Sequence, residues 1–169
     1  NKLTEIILNE VTSTLHISRA SFLIKDEDEN RFVLTAHQGQ ISSPDIRMGF
    51  DHPLVQTLEN SSSAITQSDL NVLPQFRALW ESEQKNLAEI GTELLLPLKV
   101  KEELVGIFTV GTKLSGDTYS EDDQLTLTTL ANQTAVAIEN ARLFSAEQSR
   151  REELDALYRL TRQLVDSDD

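Results

Sequence analysis

The residues in this chain able to do chemistry are few. His16, His37 and His52 are the candidate metal or haem ligands, because converging imidazoles bind transition metals. They lie far apart and none forms a His-x-x-x-His pair, so they read as surface or capping residues. Asp26, Asp28 and Asn30 match the opening of a calcium loop, but Arg31 stands where that loop needs Gly and His37 where it needs Glu. This stretch therefore reads as a solvated acidic turn. The chain has no cysteine. That removes disulfides, thiolate zinc sites, a Cys nucleophile and a thioether-linked chromophore. The sequence holds no Gly-x-Ser-x-Gly, no Gly-rich phosphate loop, no His-Glu-x-x-His and no phosphoacceptor His followed by Glu and Pro. It reads as a chain without catalytic machinery of its own.

Composition points the same way. The 169 residues carry 15 Lys+Arg against 28 Asp+Glu, a net charge of −13. So acidic a chain is unsuited to the phosphates of nucleic acid and to direct contact with an anionic membrane. The apolar share of 38% suits one globular domain with an appendage. No apolar run reaches the ~18–20 residues of a membrane span. No signal-peptide apolar core opens the chain, which reads as cytoplasmic. It begins on Asn1 and closes on Asp166-Ser167-Asp168-Asp169, and reads as a domain fragment of a larger protein.

Periodicity supplies the elements. Leu3, Ile6, Ile7, Val11 and Leu15 form one helical stripe. Residues 20–25 and 32–36 read as a hairpin across the acidic turn. Pro44, Gly49 and Pro53 punctuate a looser region. Residues 53–58 suit a short helix with Pro near its start, 64–66 a short edge strand, and 69–74 a loop. From Pro74, the spacing of Phe76, Leu79, Trp80, Leu87 and Ile90 is helical. Residues 94–98 and 104–111 read as a second hairpin. Pro97 belongs at a bulge or an unpaired edge, and Gly106 marks a bulge or a close helix approach. Ser120 and Asp123 suggest a capping box. No Gly or Pro follows, so one helix can run to about Val165. At ~1.5 Å per residue it is roughly 65–70 Å long, so its end must project. Beyond Phe144 it turns polar, and Leu154, Leu157, Thr161 and Leu164 then recur as a coiled-coil seam.

Two segments now resemble a known family. Leu95-Leu96-Pro97-Leu98 followed by Leu104-Val105-Gly106-Ile107-Phe108 resembles the paired strands of the GAF domain. Ser120-Glu121-Asp122-Asp123, then Leu130-Ala131, Gln133 and the run from Ala135 to Leu143, resembles its closing helix. The resemblance covers residues 1–146. Residues 147–169 resemble the linker helices that join such sensors to the next module. It implies an α+β fold: an antiparallel sheet of five or six strands, with N- and C-terminal helices on one face and loops enclosing a small-molecule pocket on the other. The implied function is regulatory. A non-covalently bound ligand changes the state of the domain, and the C-terminal helix passes that state to an output module such as a histidine kinase of a two-component system. Phe50, His52, Phe76, Trp80 and Phe108 are the implied pocket residues; the same aromatics can equally fill a core with no ligand. Leu154, Leu157, Thr161 and Leu164 are the transmission seam of a homodimer. Missing Cys excludes covalent bilin and the methionine-sulfoxide reductase chemistry of one branch. The only Asn-Lys pair, Asn1-Lys2, precedes the fold and does not fit the cyclic-nucleotide signature. A dimerising spacer that binds nothing is the alternative.

Overall fold

The computed structural model describes residues 2–41, 46–72, 74 and 92–167. The elements are α1 (Lys2–Leu15), β1 (Ala20–Asp26), β2 (Arg31–Gln38), β3 (Arg47–Gly49), α2 (Pro53–Glu59), β4 (Ile65–Thr66), α3 (Gln67–Val72), β5 (Leu94–Val100), β6 (Glu103–Val110) and α4 (Glu121–Ser167). The strands form one antiparallel sheet in the order β3-β2-β1-β6-β5-β4. Two hairpins thus meet along β1 and β6, with the N- and C-terminal helices on one face. Residues 69–74, read as a loop, instead include α3, opened by the reciprocal bonds of Thr66 and Asp69. β3 carries no alternation to announce it. The helix read from Pro74, with Phe76 and Trp80, lies outside the described residues.

Each face of the sheet has its own core. Leu23, Ile107 and Leu95 pack with Leu54, Val55 and Leu58 of α2 on one side. Their neighbours Phe22 and Phe108 point the other way, with ring centroids 4.8 Å apart. On that side α1 covers β1 and β2 with Leu8 and Val11. Its buried stripe is completed by Thr4 and Thr12 rather than by Ile6, which is exposed. Thr12 is tolerated there because its hydroxyl donates to the Leu8 carbonyl at 2.9 Å. Leu127, Ala131 and Ala135 are buried positions of the first part of α4.

Two bulges set which residue meets which core. Phe22 pairs with Ala36 but Leu23 with Leu34, so Thr35 is an extra residue on β2. The bulge shifts the alternation by one. Leu34 joins the α2-side cluster, while Ala36, two residues away, lies opposite Phe22. On β6 the register shifts between Leu98 and Lys99. Pro97 sits one residue before it, past the end of β4, which pairs only with Leu94 and Leu95. Its missing N–H faces no strand partner on that edge. Gly106 answers to strands rather than a helix: a Cβ there would stand 2.9 Å from the Leu23 carbonyl oxygen and 2.8 Å from Leu98 Cδ1.

The capping box forms as read. Asp123 N–H donates to Ser120 Oγ at 3.1 Å, and Ser120 N–H to Asp123 Oδ2 at 2.9 Å. Asp123 also pairs with Lys113 on the segment after β6. Lys113, then Ser120, pull its carboxyl down to about 2. Nearby, Tyr119 donates to the Gly111 carbonyl, and burial, then the Glu93 and Asp123 carboxylates, push its phenol up. By its contacts the chain divides into Asn1–Val136 and Ala137–Asp169, and α4 runs unbroken through both.

Gly106→Ala is expected to lower stability by about 1–3 kcal/mol in urea denaturation, the range for overpacking against groups that cannot yield. A depressed folded-state carboxyl stabilises above its ordinary pKa of 3.8 and stops doing so as pH falls toward 2. Wild type is therefore expected to lose stability through that window more steeply than Asp123→Asn in acid titrations followed by circular dichroism.

Candidate functional site

The α2-covered face is where polar chemistry enters the core. One cross-strand row runs His37, Ser21, Thr109, Leu95, Ile65. Ser21 shares its face with Leu23 and Thr109 with Ile107, by strand alternation. Both residues are 1% exposed. Their hydroxyls hydrogen-bond each other across β1 and β6. A pair of hydroxyls has two hydrogens, and this bond uses one. Among the described residues neither hydroxyl has another partner. The site therefore offers a buried donor on an otherwise apolar floor. It is not an activated nucleophile: the bond partner of Ser21 is a threonine, which is no base, and exposed His37 sets its Nδ1 3.3 Å from the Gly39 carbonyl.

Phe50 and His52 mark the other end of this face, at the turn from β3 into α2. The Phe50 ring meets Phe32 edge-on, centroids 5.4 Å apart, and Lys25 Nζ lies 5.3 Å over it. Lys25 is also held at 3.0 Å by Glu103. His52 is the N-cap of α2. Its Nδ1 accepts from Leu54 N–H at 3.1 Å, with Pro53 in the first turn. Its backbone N–H donates to the Gly49 carbonyl and its carbonyl accepts from Gln56 N–H. The imidazole is buried and holds the start of the helix.

The structure brings Phe50 and His52 to one face and separates them from Phe108. That ring packs tilted against Phe22, on the opposite face of the sheet from Phe50. Phe76 and Trp80 lie outside the described residues. Leu154, Leu157, Thr161 and Leu164 are all exposed on α4. Ser21 and Thr109 were not read as site residues; the one signal was a hydroxyl inside each of two apolar strands. Among the described residues no three His, Asp or Glu gather closely enough to hold a metal ion, and no helix is long and apolar enough to cross a membrane.

Residues 1–139 match the sequence profile of the GAF domain. The chain belongs to the GAF family. GAF domains are a family of regulatory signalling modules. Among solved structures, the chain resembles the GAF domain of a phosphoenolpyruvate-protein phosphotransferase from Coxiella burnetii. The TM-score is 0.65 at 23% identity, covering 85% of this chain and 84% of that one. It also resembles the GAF domain of a two-component sensor histidine kinase from Bacillus halodurans, with TM-score 0.62, 21% identity and coverage of 85% and 96%. At such identities the shared property is the fold. Diguanylate cyclase A of Treponema denticola is 28% identical over 148 residues. The match takes in 85% of this chain and 39% of that protein, so this GAF chain spans well under half the length of its relative.

His52→Ala is expected to cost about 1 kcal/mol or more through loss of the α2 cap, and His52→Asn to retain most of it. Urea denaturation of both variants checks this.

Proposed function

We propose that this GAF chain is a cytoplasmic sensor that binds a small molecule non-covalently and passes its state to an output module through α4. The buried Ser21–Thr109 pair carries the reading. Folding away a spare hydroxyl hydrogen on an apolar floor costs free energy unless an acceptor meets it. A ligand with a carbonyl, ether or carboxylate oxygen supplies that acceptor, and Phe50 supports the same face. Residues 1–146 form the sensor and 147–169 the signalling helix. Leu154, Leu157, Thr161 and Leu164 form the seam of a homodimer. The output is an enzyme of the class in which similar GAF segments occur, a histidine kinase or a diguanylate cyclase. Coupling requires only that the ligand bind one arrangement of the helix better than another.

A second reading has its own support. Leu23, Ile107 and Leu54 are fully buried among the apolar side chains of their own cluster, which favours an α2-side core closed on itself. On that reading the domain is a dimerising spacer.

Native mass spectrometry of the chain, as purified and after incubation with host-cell extract, separates the two. The expected result is a discrete added mass in wild type that Ser21→Ala with Thr109→Val loses while its circular dichroism is unchanged. A bare chain under both conditions overturns ligand binding and leaves the spacer.

A further inference from the structure

The pairing of β1 with β6 continues past the ends of both strands. Gly111 N–H donates to the Arg19 carbonyl at 2.8 Å, Ser18 N–H to the Thr112 carbonyl at 3.0 Å, and Leu114 N–H to the His16 carbonyl at 2.8 Å. Ser18 Oγ donates to the same Thr112 carbonyl at 2.7 Å. Ile17 and Lys113 form an antiparallel bridge between these bonds. Residues 16–19, which lead α1 into β1, are therefore zipped to residues 111–114, which leave β6. His16 makes the turn into this ladder. Its φ of 52° is left-handed, and Ile17 N–H closes α1 on the Thr12 carbonyl at 3.1 Å, a Schellman ending with His in place of the usual Gly.

The zipped segment also grips the start of α4. Lys113 Nζ pairs with Asp123, the residue that closes the capping box on Ser120. Lys113 holds the Asp123 carboxyl down at about 2, so the pair stays ionised at neutral pH. The same ammonium lies 5.5 Å over the Tyr119 ring, and the Tyr119 hydroxyl donates back to the Gly111 carbonyl. These contacts bridge a connector that is otherwise loose. Residues 114–118 are all exposed, and a Cβ on Gly116 would meet nothing within 4 Å. Glu121, Asp122, Leu125 and Thr126 of the first helical turns are exposed as well. A helix end of this kind frays by itself, opening at little cost in free energy.

We propose that Lys113 is a positioning residue that fuses the start of α4 with the β1–β6 ladder into one cooperative unit, so that a displacement of β6 reaches α4 instead of being absorbed in the connector. Thr109 of the buried hydroxyl pair stands on β6 just before the gripped segment, which gives the ladder its place in the route. The inference deepens the reading of α4 as the output path and rests on it, but its test uses no ligand.

Native-state hydrogen exchange at low urea concentrations reads the coupling. In the wild-type chain the amides of Asp123 and Gln124 are expected to exchange with the same urea dependence as those of the β1–β6 ladder. In Lys113→Met they are expected to exchange about tenfold faster or more and to lose that dependence, while the ladder amides stay within about twofold. Lys113→Arg keeps the charge and is expected to retain protection to within about threefold. Tyr119→Phe, which removes the bond to Gly111 but leaves the ion pair, is a second variant and is expected to accelerate the same two amides selectively. Equal acceleration of ladder and helix in Lys113→Met overturns the proposal, because Lys113 then only stabilises the fold as a whole. Unchanged exchange in both variants overturns it too, as does a wild-type first turn that already opens independently of urea. None of these outcomes touches ligand binding. Conversely, a bare chain in the mass spectra removes the ligand and leaves the cooperative unit standing.

Discussion

The pairing of β1 with β6 is the constraint on which the rest depends. These strands join the two hairpins, and both are buried on both faces. Neither can therefore be an edge, and neither can alternate polar with apolar residues. Phe22 and Phe108 commit one face to α1 and the buried part of α4. Leu23 and Ile107 commit the other to α2. Gly106 exists because the carbonyl of Leu23 and the side chain of Leu98 close on the same point from two neighbouring strands. The hydroxyl pair of Ser21 and Thr109 sits in this central ladder, where a polar group is most expensive and most conspicuous.

Electrostatics is kept to the ends of elements. The capping box of Ser120 and Asp123 starts α4, and Lys113 ties that start to the segment after β6. Glu29 bridges Arg31 at 2.7 Å and Arg47 at 3.2 Å, holding β3 beside the first hairpin. Exposed ion pairs of this kind contribute little individually. Their role is to align chain segments whose apolar cores supply the stability. The helix from Ala137 onward is different: its ion pairs lie beside leucines that are themselves exposed.

Much of the fold was legible because it is local. Stripes, hairpins and the capping box are short-range patterns, and β1, β2, α2, β4, β5, β6 and the start of α4 follow them. β3 was missed because three residues are too few for alternation to show. α3 was missed because its opening rests on a reciprocal bond between Thr66 and Asp69 rather than on an apolar stripe. The site was less legible. Phe50 and His52 were read as pocket residues through family resemblance, and His52 caps α2, one of the roles its isolation in the sequence had suggested.

By itself the sequence determined the order and type of most elements, the family, the lack of any cysteine chemistry and the apolar track along the last helix. These are properties of composition and of spacing along one chain. Tertiary structure decided which face each residue joins. Alternation divides a strand into two sides without saying which layer covers either, and a bulge such as that at Thr35 reverses the assignment without leaving a mark in the pattern. Hence Phe108 lies on the opposite face of the sheet from Phe50, with which the resemblance grouped it. Ser21 and Thr109, 88 residues apart, meet only because β1 and β6 pair.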